Sequence, residues 1–137
     1  MLTVKDVMVS QVVTISPYST LREALSMMKE RQVKSLVVDR QHAHDAYGML
    51  SYRELLDTVV AQEGDVDLLN VYDAATIPAI TVNEDLSVRQ AAALMSRYHL
   101  SRLVVVEGNQ LVGLLAMNDI LARRMEELTV SPPPYQS

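Results

Sequence analysis

Two segments of this chain place a carboxylate six residues after a glycine, at the start of a predicted helix. They are Gly48-Met49-Leu50-Ser51-Tyr52-Arg53-Glu54 and Gly113-Leu114-Leu115-Ala116-Met117-Asn118-Asp119. A carboxylate in that position can accept bonds from a pair of hydroxyls while lying favourably in the helix dipole. Ser51 adds a hydroxyl, able to donate to a phosphate or sugar oxygen or to act as a helix N-cap. Ala116 takes the matching place in the second segment, where Asn118 offers an amide. Arg102 lies just before a predicted buried strand, and a guanidinium binds phosphate bidentately. Lys34 and Ser35 hold the corresponding place earlier in the chain, as a point charge and a hydroxyl. Arg53 lies inside the first segment and can also reach a phosphate. At a net charge of -5, local cations of this kind are needed to hold a polyanion.

Other chemistry is sparse. His42-Ala43-His44-Asp45 could offer ligands to a transition metal, but no fourth ligand is near in sequence, and the stretch reads as a solvated loop. Pro132-Pro133-Pro134-Tyr135 matches a Pro-Pro-x-Tyr pattern that short proline-rich tails often meet by chance. No serine lies in a Gly-x-Ser-x-Gly setting, and there is no glycine-rich phosphate loop. The chain is therefore not expected to be an enzyme, and no catalytic cofactor is implied.

The elements that must position these residues occur twice. Sliding the sequence by 67 residues aligns Val4 with Val71, Asp6 with Asp73, Thr14 with Thr81, Arg22 with Arg89, Ala24 with Ala91 and Met28 with Met95. Leu36-Val37-Val38 falls on Leu103-Val104-Val105. The offset then becomes 65, aligning Gly48 with Gly113 and Leu50 with Leu115, so the loop between Asp39 and Gly48 carries two extra residues. Each repeat opens on a short apolar stretch, Val12 to Ile15 and Ala79 to Val82. Leu21, Ala24, Leu25 and Met28 then have helical spacing, as do Val88, Ala91, Ala92 and Met95. Thr20-Leu21-Arg22-Glu23 and Ser87-Val88-Arg89-Gln90 fit a capping box in which Glu23 or Gln90 reaches back to the cap. Buried strands follow at Leu36 to Asp39 and Leu103 to Val106, with returning strands at Ala46 to Leu50 and Gln110 to Leu115. Gly108-Asn109 forms the second turn. Closing helices are expected over Tyr52 to Gln62 and Met117 to Leu128. The break falls at Glu63-Gly64-Asp65, which gives repeats at 1–64 and 65–128 and a disordered proline-rich tail at 129–137. One β-α-β-β-α unit is too small to cover both faces of its sheet, so two are expected to share a core in an α/β (α+β) fold.

Composition fits this reading. A 137-residue chain that is 49% hydrophobic can bury a core without staples, and the lack of cysteine excludes disulfides and thiolate metal sites. No basic stretch points to nucleic acid. No apolar run approaches a membrane span, and Met1 to Ser10 lacks a signal-peptide core. A cytoplasmic protein is expected. Without Phe, Trp or Cys, the core must be Leu, Val, Ile, Ala and Met.

The pattern resembles a tandem cystathionine-β-synthase (CBS) pair, a Bateman module, here standing alone. The resemblance covers roughly residues 2–125. It rests on Val4-Lys5-Asp6-Val7-Met8, on Ser101-Arg102-Leu103-Val104-Val105-Val106, and on the two glycine-to-acid segments. It implies repeats packed sheet to sheet about a pseudo-two-fold axis, clefts for AMP, ADP, ATP or S-adenosylmethionine as a regulatory ligand, and pairing of modules into a homodimer. By resemblance Asp119 holds the ribose hydroxyls. Glu54 stands where the family usually has Asp; being one methylene longer, it must sit further out or fold back. Ser51 stands where the family has Ser or Thr, and Ala116 replaces that hydroxyl. Arg102, following Ser101, matches a basic phosphate contact. Thr14, Ile15, Thr81 and Val82 match the lining of adenine pockets, read through the backbone. Met8 and Met125 are expected at subunit contacts. The implied function is a nucleotide sensor acting on a separate effector protein. Ala116 and Glu54 favour the alternative, a ligand-free dimerisation module.

Overall fold

The computed structural model describes Met1–Thr129; the proline-rich stretch and nearly all of the expected tail lie outside the described residues. The chain forms two compact units. One is contiguous, Gln11–Ile80; the other joins Met1–Ser10 to the chain from Thr81 onward.

The contiguous unit holds β1 (Thr14–Ile15), α2 (Leu21–Arg31), β2 (Ser35–Val38), β3 (Gly48–Ser51), α3 (Tyr52–Leu55) and α4 (Val71–Ala74). Its sheet has the order β1-β2-β3, with β1 parallel and β3 antiparallel to β2. The split unit holds α1 (Val4–Val7), β4 (Thr81–Asn83), α5 (Val88–Tyr98), β5 (Arg102–Glu107), β6 (Gln110–Ala116) and α6 (Met117–Leu128). Its sheet repeats the arrangement as β4-β5-β6. The parallel pair in each sheet is joined by a crossover helix, as parallel strands require.

The helices begin where local hydrogen bonding favours them. Thr20 Oγ1 accepts the Glu23 N–H at 3.1 Å, and Ser87 Oγ accepts the Gln90 N–H at 3.1 Å. Glu23 and Gln90 do reach back, but to the cap hydroxyls rather than to the cap N–H groups. Both helices end on a left-handed residue, Gln32 and His99, each at φ 55°, which turns the chain out of the helix. The buried faces are those given by the helical spacing. Leu21, Ala24 and Met28 pack with Ile15, Leu36, Val38, Leu50 and Val71 in the contiguous unit. Ala91 and Met95 pack with Val4, Val82, Leu103, Val105 and Leu115 in the split unit. Each fully buried Leu or Val contributes about 1.5–3 kcal/mol.

The segments that lead into the two repeats explain why the compact units differ from the sequence repeats. Val9 bridges Leu114 through a reciprocal pair of 2.9 Å bonds. Thr76, the repeat equivalent of Val9, bridges Met49 in the same way at 2.9 Å. Each leading segment thus pairs with the last strand of the other repeat's sequence. The two motif glycines make room for it. A Cβ on Gly113 would lie 2.5 Å from Met8 Sδ and 3.0 Å from the Val9 carbonyl oxygen; one on Gly48 would lie 2.5 Å from Ile77 Cγ1.

Two features depart from the sequence expectation. The helix expected over Tyr52 to Gln62 is α-helical only to Leu55 and continues as a π-helix, Leu56–Ala61. The one-turn helices α1 and α4 stand in the leading segments. Met8 packs partly against its own unit's core and over Gly113.

Candidate functional site

In the split unit, strand register brings the candidate residues together. Thr81 pairs with Val104 and Arg102 pairs with Ala116. Paired residues share a sheet face, as do residues two apart on a strand. Thr81, Arg102 and Ala116 therefore lie on one face, opposite the one where Leu103, Val105 and Leu115 meet the helices. The Ser101 carbonyl accepts the Met117 N–H at 2.9 Å, which ties the start of α6 to the start of β5. Asp119, in the first turn of α6, is thereby held beside Ala116, the strand partner of Arg102. Ser101, Arg102, Ala116 and Asp119 are half-buried, while Thr81 and Asn118 are exposed. Val82 is buried in the core, so only its backbone is available to a ligand.

The contiguous unit repeats this geometry with different chemistry. Thr14 pairs with Val37 and Ser35 with Ser51, so Thr14, Ser35 and Ser51 share the corresponding face. Ile15 is core, and Ser35 is buried at 7% exposure. Lys34 and Arg53 are exposed. Glu54 folds back: its Oε1 accepts the Ser51 N–H at 2.8 Å and the Ser51 hydroxyl at 3.0 Å.

Asp119 differs. The corresponding bond from the Ala116 N–H is 3.4 Å, and Ala116 has no hydroxyl to add a second. Among the described residues no salt bridge involves Arg102. The second constellation thus offers a lightly engaged carboxylate and, among the described residues, a guanidinium in no salt bridge. That combination can accept hydroxyl protons at one end and bind an anion at the other.

Sequence reasoning did not single out the groove between α5 and α6. It measures about 510 Å³ and is lined by Ala92, Met95, His99, Ser101, Met117 and Leu121, among others. A neighbouring groove of about 720 Å³ is lined by residues including Leu2, Val7, Val88, Arg89 and Arg123. Neither is lined by Asp119 or Arg102. An exposed apolar stripe also runs along α6 through Met117, Leu121, Met125 and Leu128; Tyr52, Leu56 and Val60 form its counterpart in the contiguous unit. The spacing of four residues was the available signal. The rings of His42 and His44 stack 5.7 Å apart. Among the described residues no group of three or more His, Asp or Glu could hold a metal ion. No helix among them is long and apolar enough to cross a membrane.

Two sheets built alike, each closing on a glycine-to-acid turn into a helix, define a tandem pair of one repeated unit. The CBS domain family matches residues 4–61 and again 71–126, and the chain belongs to that family. It is 34% identical over 125 residues to the CBS domain-containing protein YhcV of Bacillus subtilis, covering 91% of this chain and 87% of that one. It is also 34% identical over 111 residues to an uncharacterized protein of Methanopyrus kandleri, of whose length it spans 56%. Among solved structures, the hexameric CBS-CP12 protein from bloom-forming cyanobacteria superposes with a TM-score of 0.87 at 28% identity, over 96% of this chain and 77% of that one. The CBS domain pair of protein MJ0100, solved in complex with 5-methylthioadenosine and S-adenosyl-L-methionine, superposes with a TM-score of 0.81 over 93% of this chain and 98% of that one. At 22% identity that likeness is one of fold.

Proposed function

We propose that the chain is a cytoplasmic sensor that binds an adenosine-containing ligand (AMP, ADP, ATP or S-adenosylmethionine) at the second-repeat constellation and signals to a separate effector protein. The observation that carries this reading is the grouping of Thr81, Arg102 and Ala116 on one sheet face, with Asp119 in the first turn of the 12-residue helix that follows Ala116. Asp119 takes the ribose hydroxyls, Arg102 takes a phosphate or carboxylate, and the backbone of Thr81 and Val82 reads the base. The MJ0100 complex supports the ligand class, since a CBS pair of the same fold holds adenosine compounds. To regulate, the ligand must bind one arrangement of the module better than another.

The working form is a homodimer. The support is the repeated apolar stripe, with Leu56 and Leu121 at 63% and 49% exposure at equivalent positions of the two repeats. Exposed stripes of this kind mark contact surfaces, and a second copy offers the same stripes in return.

Calorimetry with AMP, ADP, ATP and S-adenosylmethionine tests the reading. Binding by at least one, weakened tenfold or more in Asp119→Ala with the fold intact, is expected. Unchanged affinity would remove Asp119 from the site. The alternative, a ligand-free dimerisation module, draws on Glu54, whose carboxylate is already engaged by Ser51. It predicts a stable dimer whose melting temperature none of these ligands shifts.

A further inference from the structure

The molecule contains its own control for how tightly an acid three residues past a helix cap is engaged. Among the described residues five helices start with an acid in that place; in α2, Glu23 accepts the Thr20 hydroxyl at 3.2 Å. Asp6 accepts the Thr3 N–H at 2.8 Å, Glu54 the Ser51 N–H at 2.8 Å and Asp73 the Asn70 N–H at 2.8 Å. Asp119 accepts the Ala116 N–H at 3.4 Å. Asp6 and Glu54 each accept the cap hydroxyl as well, at 3.1 and 3.0 Å. Side-chain length does not explain the contrast, because two of the three tight acids are Asp. What Ala116 lacks is a cap hydroxyl, the second bond that Asp6 and Glu54 accept.

The two repeat-equivalent acids also head different helices. Glu54 starts one turn of α-helix that passes into a π-helix at Leu56, whereas Asp119 heads an unbroken α-helix of 12 residues. Aligned N–H groups favour an anion only where the helix continues.

We infer that the two acids have separate jobs. Glu54 holds the helix start of the first repeat together and takes no ligand. Asp119 is kept free of that duty by Ala116 and accepts the ligand, so each chain binds one nucleoside. This rests on the ligand-binding reading above for its second half alone; the first half is a statement about stability and is read without ligand.

Two measurements test it. In thermal unfolding without ligand, Glu54→Ala lowers Tm by about 3 °C more than Asp119→Ala, the loss expected for one helix cap in a chain of this size. Should Glu54→Ala fold poorly, the milder Glu54→Gln is compared with Asp119→Asn in the same way. Equal losses, or a larger loss at Asp119, overturn the division of labour. In calorimetry with AMP, ATP and S-adenosylmethionine, the wild-type chain binds one equivalent. Asp119→Asn loses at least tenfold in affinity, and Glu54→Gln stays within twofold. Two equivalents per chain, or loss of binding in Glu54→Gln, overturns the inference while leaving the sensor reading standing. No heat with any probe overturns the sensor reading and with it the role given to Asp119, and the unfolding comparison still decides the role of Glu54.

Discussion

Replacing Gly113 by Ala should detach the leading segment from the split unit's sheet. The added methyl would sit 2.5 Å from Met8 Sδ, 3.0 Å from Met8 Cγ and 3.0 Å from the Val9 carbonyl oxygen. The thioether can swing aside, since methionine has several rotatable bonds. The Val9 carbonyl cannot, because it accepts the Leu114 N–H at 2.9 Å while Val9 donates to the Leu114 carbonyl at 2.9 Å. Relief therefore stretches or breaks that pair. Each bond contributes about 0.5–1.5 kcal/mol, and crowding a packed site costs about 1–3 kcal/mol. A net loss of about 2 kcal/mol follows, or a drop in Tm of about 7 °C for a chain of this length. Calorimetric unfolding measures the stability, and amide hydrogen exchange at Val9 and Leu114 locates the change. A Tm within 1 or 2 °C of wild type, roughly the noise against that shift, with both amides still protected, would refute the close-approach argument.

Further expectations are as follows. Gly108→Ala, in the β5–β6 turn, meets no neighbour but must hold φ near +60°; it costs about 1–2 kcal/mol of backbone strain, and Gly108→Asn costs less. Leu121→Glu and Leu56→Glu place charge on the exposed stripes, so light scattering should show the dimer shifting to monomer; a monodisperse dimer in both variants would remove the stripes from the interface. Arg102→Ala should weaken ATP about tenfold and flatten the salt dependence of binding, as loss of a phosphate contact requires. Hydrogen bonds from Arg22 hold the Asp67 carboxyl below its ordinary pKa, and those from Thr3 do the same for Asp6. Depressed acids contribute stability that is present above the unfolded-state value and lost as pH falls through the folded one. Acid titration of Tm should therefore show a decline that begins near pH 4, about the unfolded Asp value, and is smaller in Asp67→Asn.

Much of the fold could be read from the residues because helix and strand periods leave direct marks. The shift of 67 residues that aligned Arg22 with Arg89 also aligns the left-handed caps Gln32 and His99. The span Met117 to Leu128 read for the last helix is the span observed. What escaped was structure held by single contacts. The leading segments join their sheets through one bridged pair each, too short to show any alternation. The one-turn helices at Val4 and Val71 do carry a signal, Thr3 with Asp6 and Asn70 with Asp73, at the spacing of a capping box. The π-helix is set by bonds such as Gln62 N–H to the Asp57 carbonyl at 2.9 Å, and nothing in Leu-Asp-Thr-Val-Val-Ala announces it. At the site, the residues were legible and their occupations were not. A Glu in place of an Asp left open whether the acid extends or folds back; only the Ser51 bonds decide that it folds back.

The bridge between Val9 and Leu114 has a consequence during synthesis. A chain leaves the ribosome from its N-terminus, and compact units fold as they emerge. Gln11–Ile80 is contiguous in sequence and can settle early. Met1–Ser10 precedes that unit in sequence but must wait for its own partners, Glu84, Leu86 and Ser87 first and Leu114 later. Val9 is thus held back until β6 has emerged, long after its own synthesis.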